Sequence, residues 1–300
     1  MKLALGPLLY YWSREKTFDF YKLVESMPVD IVYLGETVCS RRHELRLADW
    51  LHIANALSDA GKTPVLSTQV LIESGSDVTT MRKIVENSKY LVEANDFGAV
   101  HRLENALPFI GGPHLNIYNI PTLELMASLG MKRWTIPLEM GMAELVEIQN
   151  GRPKNIETEV FVYGRMPLAF SARCFTARYR NLPKDDCQFS CIDYPDGLLM
   201  HTREDQGFLV LNGTQTQSAK VCNLIRELKL MKNIGVDVVR LSPQSINTGD
   251  IVQLFRQTLN EQISADSAMD AIAELMPDQP CNGYWYGKPG LEHIVVTEFS

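Results

Sequence analysis

Short apolar runs alternate with stretches of helical spacing along most of this chain of 300 residues. Leu3–Leu5 reads as a first buried strand, and Thr17–Glu25 as a helix with Phe18, Tyr21 and Val24 spaced along it. Asp30–Leu34 is a second strand. The helix after it carries Leu47, Leu51, Ala54 and Leu57 at three- and four-residue spacings and stops at Gly61. The alternation continues with strand Thr63–Leu66, helix Asp77–Glu86 behind an Asp77 cap, strand Tyr90–Glu93 and a helix near Asp96–Asn105. Next come strand His114–Tyr118, helix Pro121–Leu129, strand Arg133–Ile136, helix Glu144–Gln149 and strand Glu159–Tyr163. A long insertion with a β-rich piece at Phe208–Asn212 follows. Helix Ser218–Met231 then leads into strand Val236–Leu241 and helix Gly249–Leu259. After Gln262 the pattern gives a short helix, Ala268–Leu275, and an irregular tail.

Strands alternating with helices indicate a parallel sheet, and eight such units close most simply into a TIM-barrel-like (β/α)8 fold. A doubly wound open sheet is the alternative. No repeat of fixed period, low-complexity tract or long linker divides the chain. The expected organisation is one barrel-like domain over residues 1–300, with an insertion at 164–216 after strand seven and a C-terminal tail at 263–300.

Composition narrows the function classes. With 45% hydrophobic and 22% charged residues the chain can bury a full core. A net charge of −7 disfavours a dedicated binder of nucleic acid or anionic membrane. The apolar start is short and broken by Gly6 and Pro7, and no run reaches the roughly 18 apolar residues of a membrane span. A cytoplasmic protein is expected, with its thiols reduced. There is no G-x-S-x-G, H-E-x-x-H, phosphate-binding or G-x-G-x-x-G element.

Cysteine placement carries the chemistry. Of six cysteines, Cys174, Cys187 and Cys191 fall in one loop with C-x12-C-x3-C spacing. Loops after parallel strands gather at the C-terminal mouth of a barrel. Cys39, after strand two, therefore emerges on the same face and is the natural fourth ligand, ahead of Cys281. Four thiolates suit tetrahedral zinc or an iron–sulfur cluster. The spacing matches neither paired zinc knuckles nor the usual ferredoxin patterns, so both remain open at this level. Arg41, Arg42, Arg173, Arg178 and Arg180 nearby would favour thiolates or an anionic ligand, or form a solvated rim. Cys222, inside the Ser218–Met231 helix, reads as core. His114 is placed at a strand end facing the mouth, where a structural role is the simpler expectation. Glu36, Glu93, Asn95, Asp96, Asn116 and Glu139 follow strands and could line a polar pocket or cap helices.

From Glu159 to Cys191 the chain resembles the U-32 (collagenase-like) peptidase family, whose signature runs approximately E-x-F-x-H-G-A-x-C-x-x-x-S-G-x-C. Glu159, Phe161, Gly164, Ser171 and Cys174 agree; Tyr163 stands where the signature has histidine and Pro167 where it has its first cysteine. The blocks LGPLLYYW, YLGETVCSRR, VLSTQ, PLAFSARCFTAR, LPKDDCQFSC, VVRLSPQ and CNGYW are similar to one branch of that family and span nearly the whole chain. The resemblance implies a 4Fe-4S cluster on Cys39, Cys174, Cys187 and Cys191, with Cys39 replacing the ligand missing at Pro167. It further implies a heterodimer with a UbiU-like paralogue that hydroxylates the ring of a ubiquinone precursor without molecular oxygen, with a lipid-binding accessory protein of that pathway as a further partner. Members that hydroxylate RNA bases suggest prephenate as oxygen donor, and Arg173 and Arg178 are the candidate anion-binding residues for such a dicarboxylate. The alternatives are an electron-transfer or scaffolding subunit without its own substrate site, and a peptidase, for which no motif is present.

Overall fold

The computed structural model describes residues 1–104 and 106–295. Eight parallel strands form the barrel in chain order: β1 (Lys2–Leu5), β2 (Ile31–Leu34), β3 (Thr63–Ser67), β4 (Leu91–Ala94), β5 (Phe109–Gly111), β6 (Met131–Thr135), the first half of β7 (Glu157–Phe170) and, later in the chain, β11 (Val238–Leu241). β11 pairs with both β1 and β7 and closes the sheet. The outer helices are α1 (Arg14–Val24), α2 (Leu47–Asp59), α3 (Gly75–Val85), α4 (Phe97–Leu103), α5 (Ile120–Ser128) and α6 (Met142–Gly151).

Alternation along each strand divides the core. Outward-facing Leu3, Leu5, Val32, Leu34, Val92, Trp134, Val160 and Val239 join the helices in the main apolar cluster. Inward-facing Ala4, Ile31, Tyr33, Val65, Ile110 and Val238 make a second cluster in the lumen. The remaining lumen positions are charged. Arg240 Nε lies 2.6 Å from Glu159 and its Nη1 lies 2.7 Å from Glu93. Arg133 reaches Glu157 at 2.7 Å and donates to the Tyr33 hydroxyl at 3.0 Å, while that hydroxyl donates to Glu159. The Arg240 guanidinium stacks 3.8 Å from the centre of the Tyr33 ring. Buried charges on this scale persist only because each has a close opposite partner.

Beyond the barrel wall, β7 continues for several residues past Gly164, whose φ is +125° and where a Cβ would stand 2.6 Å from Ser242 Cβ. The insertion then forms helix α7 (Phe175–Tyr179), two 3-10 turns, strands β8 (Leu198–His201) and β9 (Gly207–Asn212), and β10 (Gln215–Asn223). β10 pairs antiparallel with β7 and β9. The chain completes the barrel through α8 (Leu228–Asn233), β11, α9 (Thr248–Leu259) and α10 (Ala265–Ala273), followed by β12 (Pro280–Cys281) and a 3-10 turn at Gly283–Tyr286.

Three expectations are corrected. Strand five is Phe109–Gly111, not His114–Tyr118; Pro113–Leu115 form a 3-10 turn and Asn116 adopts φ +55°, which breaks an extended run. The segment Ser218–Met231 is not one helix: it begins in β10, passes through a 3-10 turn at Ile225–Glu227 and becomes helical only in α8. Cys222 is thus a strand residue, facing Cys281 in the β10–β12 register, so the tail is partly woven into the sheet. Asn105 at the end of the fourth expected helix, and residues 296–300 of the tail, lie outside the described residues. No helix among the described residues is long and apolar enough to cross a membrane.

Candidate metal centre and barrel mouth

The loop after β2 is shaped by one carboxylate. Glu36 Oε1 accepts the backbone N–H groups of Val38 (2.9 Å) and Cys39 (3.0 Å), and Arg42 N–H closes the turn on Cys39 O at 3.0 Å. Arg42 then runs into the protein. Its guanidinium donates to Leu9 O and to Asn212 Oδ1, each at 2.7 Å, and stands 3.6 Å from Glu36. It therefore joins the β1 loop, the Cys39 loop and the end of β9. Gly213 is fitted to this contact: its φ is +66°, and a Cβ there would lie 3.0 Å from Arg42 Nη2. Thr214 donates from its hydroxyl to Val38 O at 2.8 Å, a second tie between the insertion and the Cys39 loop.

Neighbouring Arg41 turns the other way and donates to Asp185 O at 2.7 Å, in the 3-10 turn (Lys184–Asp186) that delivers Cys187. Cys174 caps α7, its Sγ accepting from Ala177 N–H at 3.4 Å. Cys191 lies in the following turn, after Phe189, whose ring packs 6.2 Å from Tyr11 and 5.9 Å from His43. All four cysteines are free and half-buried.

Two of the thiols feel the charge of a third, Cys174. Burial pushes the Cys39 thiol up to about 11, with Arg42 opposing and the Cys174 charge adding to the rise. Burial also raises Cys191, against Arg42, and Cys174 is again felt. Cys187 follows the turn that Arg41 clamps. The four sulfurs do not converge on one point: among the described residues, no three His, Cys, Asp or Glu side chains are positioned to hold a metal ion. A single tetrahedral zinc needs every sulfur about 2.3 Å from one centre, whereas a four-iron cluster gives each thiolate its own iron. Among the described residues, the Nε atoms of Arg41 and Arg42 are buried without an acceptor, and such N–H groups beside sulfur would suit a thiolate-ligated anion.

The remaining sequence candidates separate. Arg173 and Arg178 are exposed and do not line the barrel mouth. The mouth pocket is lined by residues from the ends of all eight barrel strands, including Thr37, Glu93, Asn95, His114, Thr135 and Arg240. Glu93 and Asn95 were expected there. Asp96 caps α4, Asn116 ends a 3-10 turn, and Glu139 accepts from Tyr118. His114 meets Phe170 edge-on at 4.9 Å. Burial, helped by the Arg240 charge and opposed by Glu139, lowers its pKa to about 4. Sequence reasoning missed Tyr33, Arg133 and Arg240. The available signal was an arginine at an inward position of a buried strand. Pro167, where the family signature has cysteine, lines this same mouth alongside Thr37, two residues from Cys39. Cys281 is buried against Cys222 in the sheet, away from the Cys39 loop.

The model of Peptidase family U32 matches residues 19–294. The chain belongs to this family. Relatives include two proteins named tRNA hydroxylation protein P. The one from Helicobacter pylori (strain ATCC 700392 / 26695) is 32% identical over 120 residues, 36% of this chain and 27% of that protein. The one from Escherichia coli (strain K12) is 33% identical over 76 residues, 25% of this chain and 16% of that protein. The matched stretches thus span under a third of the length of these relatives. The solved structure of the U32 peptidase Mk0906 aligns over 81% of this chain and 93% of its own, with a TM-score of 0.47 and 12% identity.

Proposed function

We propose that this U32 member is a UbiV-like iron–sulfur subunit that hydroxylates, with a UbiU-like paralogue as heterodimer, the ring of a quinone precursor without molecular oxygen. The 4Fe-4S cluster is held by Cys39, Cys174, Cys187 and Cys191. When bound, it supplies one-electron chemistry to the barrel mouth. The observation that carries the reading is the meeting of the Cys39 loop and the cysteine insertion around Arg42, at the mouth of a barrel whose relatives are named for hydroxylation. The chain's own residues would do the positioning. Arg42 and Glu36 fix the Cys39 turn, Arg41 fixes the turn before Cys187, and the insertion screens the thiols from water.

Prephenate as the oxygen donor belongs to the same proposal. Because Arg173 and Arg178 project from the surface, their role would be to meet the dicarboxylate at an interface with the paralogue rather than within this barrel. The decisive experiment is anaerobic purification with iron, sulfide and zinc analysis and a visible absorption spectrum. About four irons and four sulfides per chain are expected for a 4Fe-4S cluster. Zinc without sulfide would overturn the assignment.

A further inference from the structure

The mouth pocket contains two buried polar atoms that no protein group satisfies. Among the described residues, the Thr37 hydroxyl and Asn95 Oδ1 have no hydrogen-bond partner, although the residues are only 2% and 3% exposed. Buried polar atoms are almost always paired, so two orphans in one pocket point to something that completes them. Asn95 is held for the task, since its amide donates to Thr68 O at 3.0 Å and Thr68 Oγ1 accepts its backbone N–H at 3.0 Å. That leaves the carboxamide oxygen as the unused half.

The chemistry of the missing partner can be read from the charges beneath. Arg240 and Arg133 are already engaged by Glu93, Glu157 and Glu159, three carboxylates against two guanidinium groups. No cation is left to receive a carboxylate, and the lumen would repel one. The unused atoms are an acceptor on Asn95 and a donor–acceptor hydroxyl on Thr37; His114, neutral at ordinary pH, adds another such group. Around them stand rigid apolar walls, including Pro7, Leu138, Phe161 and Pro167. Sites of this kind orient a ligand by a few polar groups and bury its apolar surface.

We infer that the barrel mouth is a binding subsite for a small uncharged ring bearing a hydroxyl group, which hydrogen-bonds to Thr37 and Asn95 and packs against Phe161 and Leu138. This deepens the reading of the mouth proposed above, assigning the ring to this chain and not to its partner. The dicarboxylate is excluded from the same pocket.

The test measures binding and does not depend on turnover or on cluster integrity. Catechol, phenol and benzoate are titrated into the purified full chain by ligand-observed NMR, with metal content measured in parallel. Catechol and phenol are expected to bind, with benzoate at least tenfold weaker. Thr37→Val should weaken catechol at least fivefold without lowering the thermal midpoint, because it removes an atom the free protein leaves unsatisfied. Thr37→Ser should restore binding. Leu138→Trp, which fills the slot without touching the polar atoms, should abolish it and serves if Thr37→Val disturbs folding. Failure of catechol and phenol to bind the wild type, benzoate binding as tightly, or unchanged affinity in both Thr37→Val and Leu138→Trp would overturn the inference. Loss of iron with catechol binding intact would count against the cluster alone.

Discussion

Replacing Arg42 by methionine tests whether this one side chain docks the cysteine insertion on the barrel. The substitution keeps the apolar stem and removes two charge-assisted hydrogen bonds, to Leu9 O and Asn212 Oδ1. Leu9 O keeps a second donor, Asn212 Nδ2 at 2.8 Å, and Glu36 keeps the Val38 and Cys39 N–H groups. The uncompensated losses are Asn212 Oδ1 and the half-buried Glu36 charge. Breaking a buried pair costs about 3–5 kcal/mol, and these surviving contacts put the expected value near the lower end, about 3 kcal/mol. None of the broken contacts lies in the barrel sheet, so the loss should appear as local opening of residues 171–216. At about 1.4 kcal/mol per decade, protected amides of that segment should exchange roughly 100-fold faster. Amides of β6 and β11 should change by less than about threefold, a few tenths of a decade on the same scale. Hydrogen exchange read by mass spectrometry on wild type, Arg42→Met and Arg42→Lys separates the cases. Lysine keeps the charge but cannot span three partners, so it should lie between the two. Equal acceleration in barrel and insertion, or none in either, would refute the docking role.

Other consequences follow from the same geometry. Arg240→Met leaves Glu93 and Glu159 buried without their main partner, so a loss of roughly 3–5 kcal/mol in urea unfolding is expected; recovery of part of it in Arg240→Met/Glu93→Gln would trace the cost to the stranded charge. The His114 imidazole should titrate near 4 by NMR. Since its folded pKa lies below the ordinary value of about 6.5, the unfolded chain binds more protons between those limits. Its contribution should be fully present above about 6.5, shrink as pH falls to 4, and change no further below; a His114→Gln variant should lack that component of the acid slope. Gly213→Ala imposes a left-handed φ on a side chain and presses on Arg42, so loss of about 1–2 kcal/mol is expected in chemical unfolding, with exchange again concentrated in the insertion.

The barrel was legible because its strands are short, apolar and separated by helices with clear three- and four-residue spacing. Strand five escaped because Phe109–Gly111 is only three residues long, while the apolar alternation that follows it belongs to a turn. β10 escaped for a different reason. Its buried face includes Gln215, Gln217 and Ser218, polar residues that conceal a period of two, and Val221, Leu224, Ile225, Leu228 and Met231 mimic a helix. The shared face of Cys39 and the cysteine loop followed from topology alone, since both leave the carboxyl ends of parallel strands. The lumen network did not. Arg133, Glu159 and Arg240 look like ordinary polar positions until closure of the sheet brings their three strands to one centre. Arg173 and Arg178 were favoured for their proximity in sequence to Cys174, but proximity does not fix direction, and both point outward.

The ligand exchange along the chain can itself be tested. Family members with a cysteine at the Pro167 position would present that thiol at the barrel mouth, where Pro167 and Thr37 now line one pocket. If Cys39 does the same work from the neighbouring loop, Cys39→Ala should lose most of its iron, and Cys39→Ala/Pro167→Cys should regain it. The backbone tolerates this change, because Pro167 sits at an irregularity in the β7–β10 pairing, opposite Gln217. A bulge is one of the few places where a strand accepts proline, and the regained N–H falls outside the regular ladder. The measurement is iron and sulfide per chain in the two variants after anaerobic purification, with the thermal midpoint as control for folding. Full iron in Cys39→Ala would remove Cys39 from the ligand set. A well-folded double variant without iron would show that the mouth positions at 39 and 167 are not interchangeable, and the explanation of the missing signature cysteine would fail with it.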